Sequence, residues 1–237
     1  YGYINAPRSS FKEIVQLEPA TILTFENGRL NKWTYWNAST VDPIDIDFDE
    51  AKAELKKLLS TSIETRLVSE RPIGAFLSGG IDSTIVTAIM KELSDSTVHT
   101  FSIGFRDSKF DESRFASKVA SAIGTTHHER LAEANPLFLM EDIARCLDQP
   151  FADSSIIPTF LLSRFAREDV VVALSGDGGD ESFGGYERYR AGRLLDKLNP
   201  ALSMNPLKFF PTDKISNPKI RKLIRHSSKQ DLSQRYS

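Results

Sequence analysis

The segment Ser78-Gly79-Gly80-Ile81-Asp82-Ser83-Thr84 directly follows the apolar run 73–77 and constrains the chain more than any other stretch. A short buried run that meets two glycines, then hydroxyls and one acid, reads as a strand, a tight turn and a helix start. Such a turn leaves backbone N–H groups free to face an anion. Adjacent glycines let the backbone come close to a phosphate, and Ser78, Ser83 and Thr84 add donors. Asp82 would repel phosphates on its own. It fits when a divalent cation bridges the two, because Mg²⁺ usually binds through one or two carboxylates plus substrate phosphates. The segment therefore points to a metal-bound nucleotide, not a bare anion. It is not a Walker A loop, since no G-x-x-x-x-G-K-[ST] occurs in the chain.

A second constellation follows the apolar run 170–174, which is expected to form a central parallel strand buried on both faces. It reads Ser175-Gly176-Asp177-Gly178-Gly179-Asp180-Glu181-Ser182-Phe183-Gly184-Gly185-Tyr186. Five glycines in the ten residues 176–185 imply unusual backbone geometry. Three acids in the five residues 177–181 would raise one another's pKa unless a cation or a positive substrate group relieved them.

Between and around these loops, strands are expected near 73–77, 98–103, 126–131 and 170–174. They alternate with helices near 83–94, 112–123, 136–147 and 156–168. That rhythm implies an α/β fold of parallel βαβ units with right-handed crossovers. Ligands in such sheets sit beyond the carboxyl ends of the strands, at a topological switch point. Both glycine loops occupy such ends and are expected to face one crevice. Upstream, Asn27-Gly28 between 20–26 and 29–35 predicts a β-hairpin closing a preceding domain. Residues 41–47 read as a linker. Asp47 or Asp49 then caps a long helix with Ala51, Leu55, Leu58, Leu59, Ile63 and Leu67 on one face.

Together, SGGIDST and LSGDGGDESFGGY resemble the asparagine synthetase family, within the ATP pyrophosphatases that cleave between the α and β phosphates. Phe101-Ser102-Ile103-Gly104-Phe105, Phe110-Asp111-Glu112-Ser113, Gly124-Thr125-Thr126-His127-His128-Glu129 and Gln149-Pro150-Phe151-Ala152-Asp153-Ser154-Ser155 resemble further family segments. Gly2-Tyr3-Ile4, Ala6-Pro7-Arg8 and the stretch from Trp33 to Trp36 resemble the end of the family's glutaminase domain and its linker. The likeness runs to about Tyr189. It implies a Rossmann-like, parallel-sheet adenine-nucleotide hydrolase fold, the PP-loop ATP pyrophosphatase fold, preceded by a short β-hairpin segment. Residues 1–40 are then a remnant of a glutaminase domain with its linker. Residues 41–237 are then the synthetase domain, expected to be incomplete at its C-terminus.

The resemblance also assigns roles. Ser78, Gly79, Gly80, Asp82, Ser83 and Thr84 would hold the β and γ phosphates of ATP. Asp82 and Asp180 would bind Mg²⁺. Phe76 and Ile103 would line the adenine pocket, and Ser175 and Gly176 would contact the nucleotide. Asp177 matches the acid tied to forming and using an acyl-adenylate, where many asparagine synthetases carry glutamate. Its shorter side chain leaves the amide acceptor open between aspartate and another carboxylate, such as one on a surface polysaccharide or a metabolite. The implied reaction is adenylation of aspartate to aspartyl-AMP with release of pyrophosphate, then displacement of AMP by ammonia. In the family, ammonia comes from glutamine through an N-terminal cysteine. A chain starting at Tyr1 and stopping at Ser237 reads as a piece of a longer enzyme, without its own ammonia source.

Composition excludes several other classes. No apolar run approaches the roughly 18 residues needed to span a bilayer, and a lone Cys146 excludes disulfide frameworks and CxxC motifs. Cys146 is expected in the core, on an apolar helix face. Residues 187–237 carry 12 Lys plus Arg against 4 acids, a net of +8 against −10 for the remainder. Their interleaving with Leu, Ile and Phe favours a solvated helix face over nucleic-acid contact. His127 and His128 are neighbours on an expected strand, so they face opposite ways and do not share a metal. Phe151 and Asp153 to Ser155 either border the acceptor pocket or cap a helix before Pro158. The expected partners are small molecules (ATP, a carboxylate, ammonia or glutamine) in the cytoplasm, with no nucleic acid or membrane; the resemblance leaves room for a homodimer. A nucleotide-binding module without turnover is the rival from another class.

Overall fold

The computed structural model describes residues 2–37, 40–106, 111–132, 136–187, 189 and 192. They fall into two compact units, Tyr1–Gly176 and Asp177–Ser237. Nearly all of the basic tail, and with it the expected helix face, lies outside the described residues.

The first unit opens with an antiparallel ribbon of β1 (Thr21–Glu26) and β2 (Arg29–Thr34). Asn27 and Gly28, at φ 50° and 76°, supply the two positive-φ positions that a two-residue hairpin turn requires. Both ribbon faces are apolar yet uncovered: Phe25, Leu30 and Trp33 are all exposed. A two-stranded ribbon is at best marginal by itself.

Helix α1 (Phe48–Leu67) starts at Asp47, whose carboxylate accepts from the N–H groups of Asp49 (2.8 Å) and Glu50 (3.0 Å). Its inward face repeats at four-residue spacing, with Ile63 buried and Leu59 and Leu67 packed beside it. Leu58 points away and is exposed, because 58 falls one position off that row.

The parallel sheet comprises β3 (Ile73–Phe76), β4 (His99–Gly104), β5 (Thr126–Leu131) and β6 (Val172–Leu174), in the order β5-β4-β3-β6. Helices α2 (Ile81–Leu93) and α3 (Ser113–Ile123) connect the first three strands. Helices α4 (Pro136–Arg145) and α5 (Ile156–Ala166) lead back to β6 on the other side of β3. The direction of winding therefore reverses between β3 and β6, which is the topological switch point. On one face Ala75, Ile89, Met90 and Val98 pack with Ile63 of α1. On the other, Phe101 is fully buried and meets Phe165 edge-on at 5.6 Å. Burial of such a ring contributes about 1.5–3 kcal/mol. Arg130 lies over the Phe165 ring and makes a two-pronged ion pair with Glu168 at 2.6 and 2.8 Å.

Two expectations need correction. Among the described residues β6 ends the sheet and is not central, and Val172 is 41% exposed because no described helix covers it. Cys146 is exposed. Helix α4 stops at Arg145, so the row of Leu139 and Ile143 is not continued to 146. Asp153 acts as a turn cap, its Oδ1 accepting from Ser155 N–H at 2.9 Å just before α5; Pro158 sits inside α5, within its first turn.

The two histidines do face opposite ways. His127 bonds the hydroxyls of Thr100 (3.0 Å) and Ser102 (3.1 Å), whereas His128 stacks on Phe101 and bonds His99 at 2.9 Å. Burial pushes the His127 imidazole below its ordinary pKa, outweighing the opposing pull of Glu129. Because the folded value is the lower one, the unfolded chain takes up the proton first. Stability is whole above about pH 6.5 and is lost as pH falls from there toward the lowered folded value. Replacing His127 by Gln is expected to shrink the fall in urea midpoint between about pH 7.5 and about pH 5.5. An identical fall in both proteins would remove His127 as the titrating group.

Candidate active site

Helix α2 begins at the switch point with Gly80 as its N-cap, and no side chain caps its first turn. The orphan N–H groups and the positive end of the helix dipole are therefore left for an outside anion. The turn before it is shaped by two hydroxyls. Ser83 Oγ lies 3.1 Å from Ser78 Oγ and accepts from Ser78 N–H at 3.3 Å, and Gly80 N–H donates to Ser78 Oγ at 3.2 Å. Ser83 is buried, so its hydroxyl braces the turn from beneath.

Glycine is required here for two separate reasons. Gly79 has φ +83°, a conformation that side chains disfavour. A Cβ on it would also lie 2.7 Å from the backbone of Phe115 and Ala116 in the first turn of α3. Gly176, just past β6, is constrained by contact: a Cβ there would lie 2.6 Å from Ser83 N and 3.0 Å from Asp82 Cβ. The end of β6 thus rests directly on the first turn of α2. Asp82, Ser83 and Gly176 are brought together as the sequence implies.

Asp82 is half-buried in that first turn and has no hydrogen-bond or ion-pair partner among the described residues. Thr84 closes the turn, its N–H donating to Gly80 O at 3.1 Å. Ser175 is half-buried beside Gly176. Phe76 and Ile103 are half-buried on the α5 face, packed against the Phe101 and Phe165 cluster. They lie toward the ends of the paired strands β3 and β4.

In the second unit, α6 (Gly179–Phe183) lies between Gly178 at φ 89° and Gly184 at φ 67°. Asp177 is exposed and Asp180 half-buried. The Asp180 carboxylate fills the space where a Cβ on Gly185 would stand, which explains that glycine. Glu181 accepts from Tyr186 Oη at 2.5 Å, a partnership that sequence reasoning missed although both residues lie in the motif. No cluster of three or more His, Cys, Asp or Glu is arranged for a metal among the described residues. A cation here would need oxygens from its substrate as well, the habit of Mg²⁺ with phosphates. A cavity of about 340 Å³ lies instead beside the hairpin, lined by Glu18, Thr21, Lys32 and Trp36. Glu18 and Lys32 neutralise each other there, so it offers little chemistry.

The family described as asparagine synthase matches residues 54–236. A putative glutamine-hydrolysing asparagine synthetase 2 of Methanocaldococcus jannaschii is 40% identical over 201 residues, covering 82% of this chain and 38% of that protein. Glutamine-hydrolysing asparagine synthetase 1 of Bacillus subtilis is 30% identical over 216 residues, covering 90% of this chain and 32% of that protein. The chain thus spans about a third of the length of these curated relatives. Among solved structures, an NH3-dependent NAD synthetase from Campylobacter jejuni shows a distant likeness, with 15% identity and a TM-score of 0.40 over 56% of this chain and 60% of that one. With both glycine turns inside a match that covers most of its length, this chain belongs to the asparagine synthase family.

Proposed function

We propose that the chain is the synthetase part of a ligase that uses ATP to turn a carboxylate into an amide. The single observation that carries this reading is the seating of Gly176 on the uncapped first turn of α2, at the switch point of a parallel sheet. The β and γ phosphates of ATP would lie on Ser78, Gly79, Gly80, Ser83 and Thr84. The nucleotide would be held at Ser175 and Gly176, with its adenine beside the main chain of Phe76 and Ile103. Asp82 and Asp180 would be the Mg²⁺ ligands, as the family resemblance implies; in each unit taken by itself the carboxylate has no protein partner among the described residues. That ion, once bound, neutralises charge on the departing pyrophosphate.

In the first step a carboxylate oxygen of aspartate attacks the α phosphorus. The bond to the β phosphate breaks and pyrophosphate leaves, aided by the N–H groups of the turn. In the second, ammonia nitrogen attacks the acyl carbon, loses a proton and expels AMP. Activation is needed because carboxylate oxygen is a poor leaving group and AMP a good one. Asp177 is assigned to the acyl-adenylate stage. Its length, one methylene less than glutamate, favours a second reading in which the acceptor is a different carboxylate.

Residues 1–40 are assigned to the end of a glutaminase domain and its linker, and 41–237 to the synthetase domain. The uncovered apolar faces of β1 and β2 support that division, since a preceding domain would bury them. The setting that suits an ATP-consuming enzyme is the cytoplasm, and a homodimer is compatible with it. Among the described residues no helix is long and apolar enough to cross a membrane.

Pyrophosphate release, measured with Mg²⁺-ATP, ammonia and a panel of aspartate, β-amino acids and uronic acids, tests the reading. Aspartate-dependent release is expected. Release with another carboxylate alone would overturn the acceptor, and tight ATP binding with no release from any would reduce the chain to a binding module. Asp82→Asn and Asp180→Asn are each expected to weaken Mg²⁺-ATP binding about tenfold or more, the scale of a lost charged contact. Unchanged titrations would remove them as ligands.

A further inference from the structure

Asp111 stands where β4 ends and α3 begins. Its Oδ1 accepts from the N–H of Phe105, just past β4, at 3.4 Å and from the N–H of Ser113, the first residue of α3, at 3.2 Å. The bonds from Ser113 hold the Asp111 carboxyl below the usual carboxylate range, so it is charged at neutral pH and complements the start of α3.

Helix α3 in turn supports the turn that precedes α2. Leu77, at 1% exposure, packs on Ala116 and Ala120. Two residues later, Gly79 lies backbone to backbone on Phe115 and Ala116, close enough that a methyl group would not fit. The height of the first turn of α3 therefore dictates where Ser78, Gly79 and Gly80 can lie. We infer that Asp111 is a positioning residue: by pinning the first turn of α3 to the end of β4, it fixes the platform on which Gly79 rests. Through that platform it aims the N–H groups of the turn. The inference deepens the proposed function and rests on that turn being the phosphate site.

Asp111→Ala deletes the acceptor of two N–H groups, whereas Asp111→Asn keeps an oxygen at the same place. The test follows backbone amide NMR shifts of Ser78, Gly79 and Gly80 in the 237-residue chain, together with Mg²⁺-ATP titration and steady-state kinetics. In Asp111→Ala the three shifts are expected to move, with ATP KM and Kd rising about tenfold and kcat staying within about twofold. Asp111→Asn is expected to restore both shifts and affinity. Unmoved shifts at 78–80 in a folded Asp111→Ala protein would overturn the inference. So would an equal loss of affinity in Asp111→Asn, which would make the charge itself the ligand contact. A wild-type chain that fails to bind Mg²⁺-ATP would count against the functional reading instead, and the shift comparison would still decide the positioning role.

Discussion

Two glycines seated on two helix starts hold the site together. Gly79 lies on the first turn of α3 and Gly176 on the first turn of α2, each so close that a single added carbon would overlap backbone atoms. Backbone packed on backbone cannot adjust by changing rotamer, so the directions of the N–H groups above these contacts are fixed before a ligand arrives. That preorganisation is what stabilising a charge that develops during reaction requires.

The contact depends on the topology of the sheet. If β6 had followed β5 on the outer edge, two strands, β4 and β5, would separate residue 176 from Ser83. Because the winding reverses at β3, the ends of β3 and β6 are neighbours, and Gly176 meets the first turn of α2. The cores on the two faces hold that register, Ile63 and Ile89 on one side and Phe101 and Phe165 on the other.

Much of this was legible in the sequence, because the signals were local. Asn27-Gly28 set the hairpin, Asp47 the start of α1, and each apolar run followed by glycine a strand running into a turn. Side-chain partnerships were not. The bridge from Asp111 to Phe105, the pairing of His99 with His128 and the use of Ser83 as an internal brace all join residues whose spacing carries no period. Burial misled in places for a related reason. Cys146 and Leu58 belong to apolar-looking rows, but α4 ends one residue too soon for the first and the row on α1 skips the second. The apolar run at β6 suggested a central strand, while its place at the end of the described sheet follows from chain order, not composition.

The central claim is that close backbone seating of the two turns creates the nucleotide site. Calorimetric titration of Mg²⁺-ATP into Gly176→Ala tests it most directly, since the added methyl group forces the β6 turn off α2 without touching any charge. The account predicts a folded protein whose affinity falls by about tenfold or more, in line with an overpacking cost of roughly 1–3 kcal/mol. A folded Gly176→Ala protein that binds Mg²⁺-ATP as tightly as the wild type would contradict it.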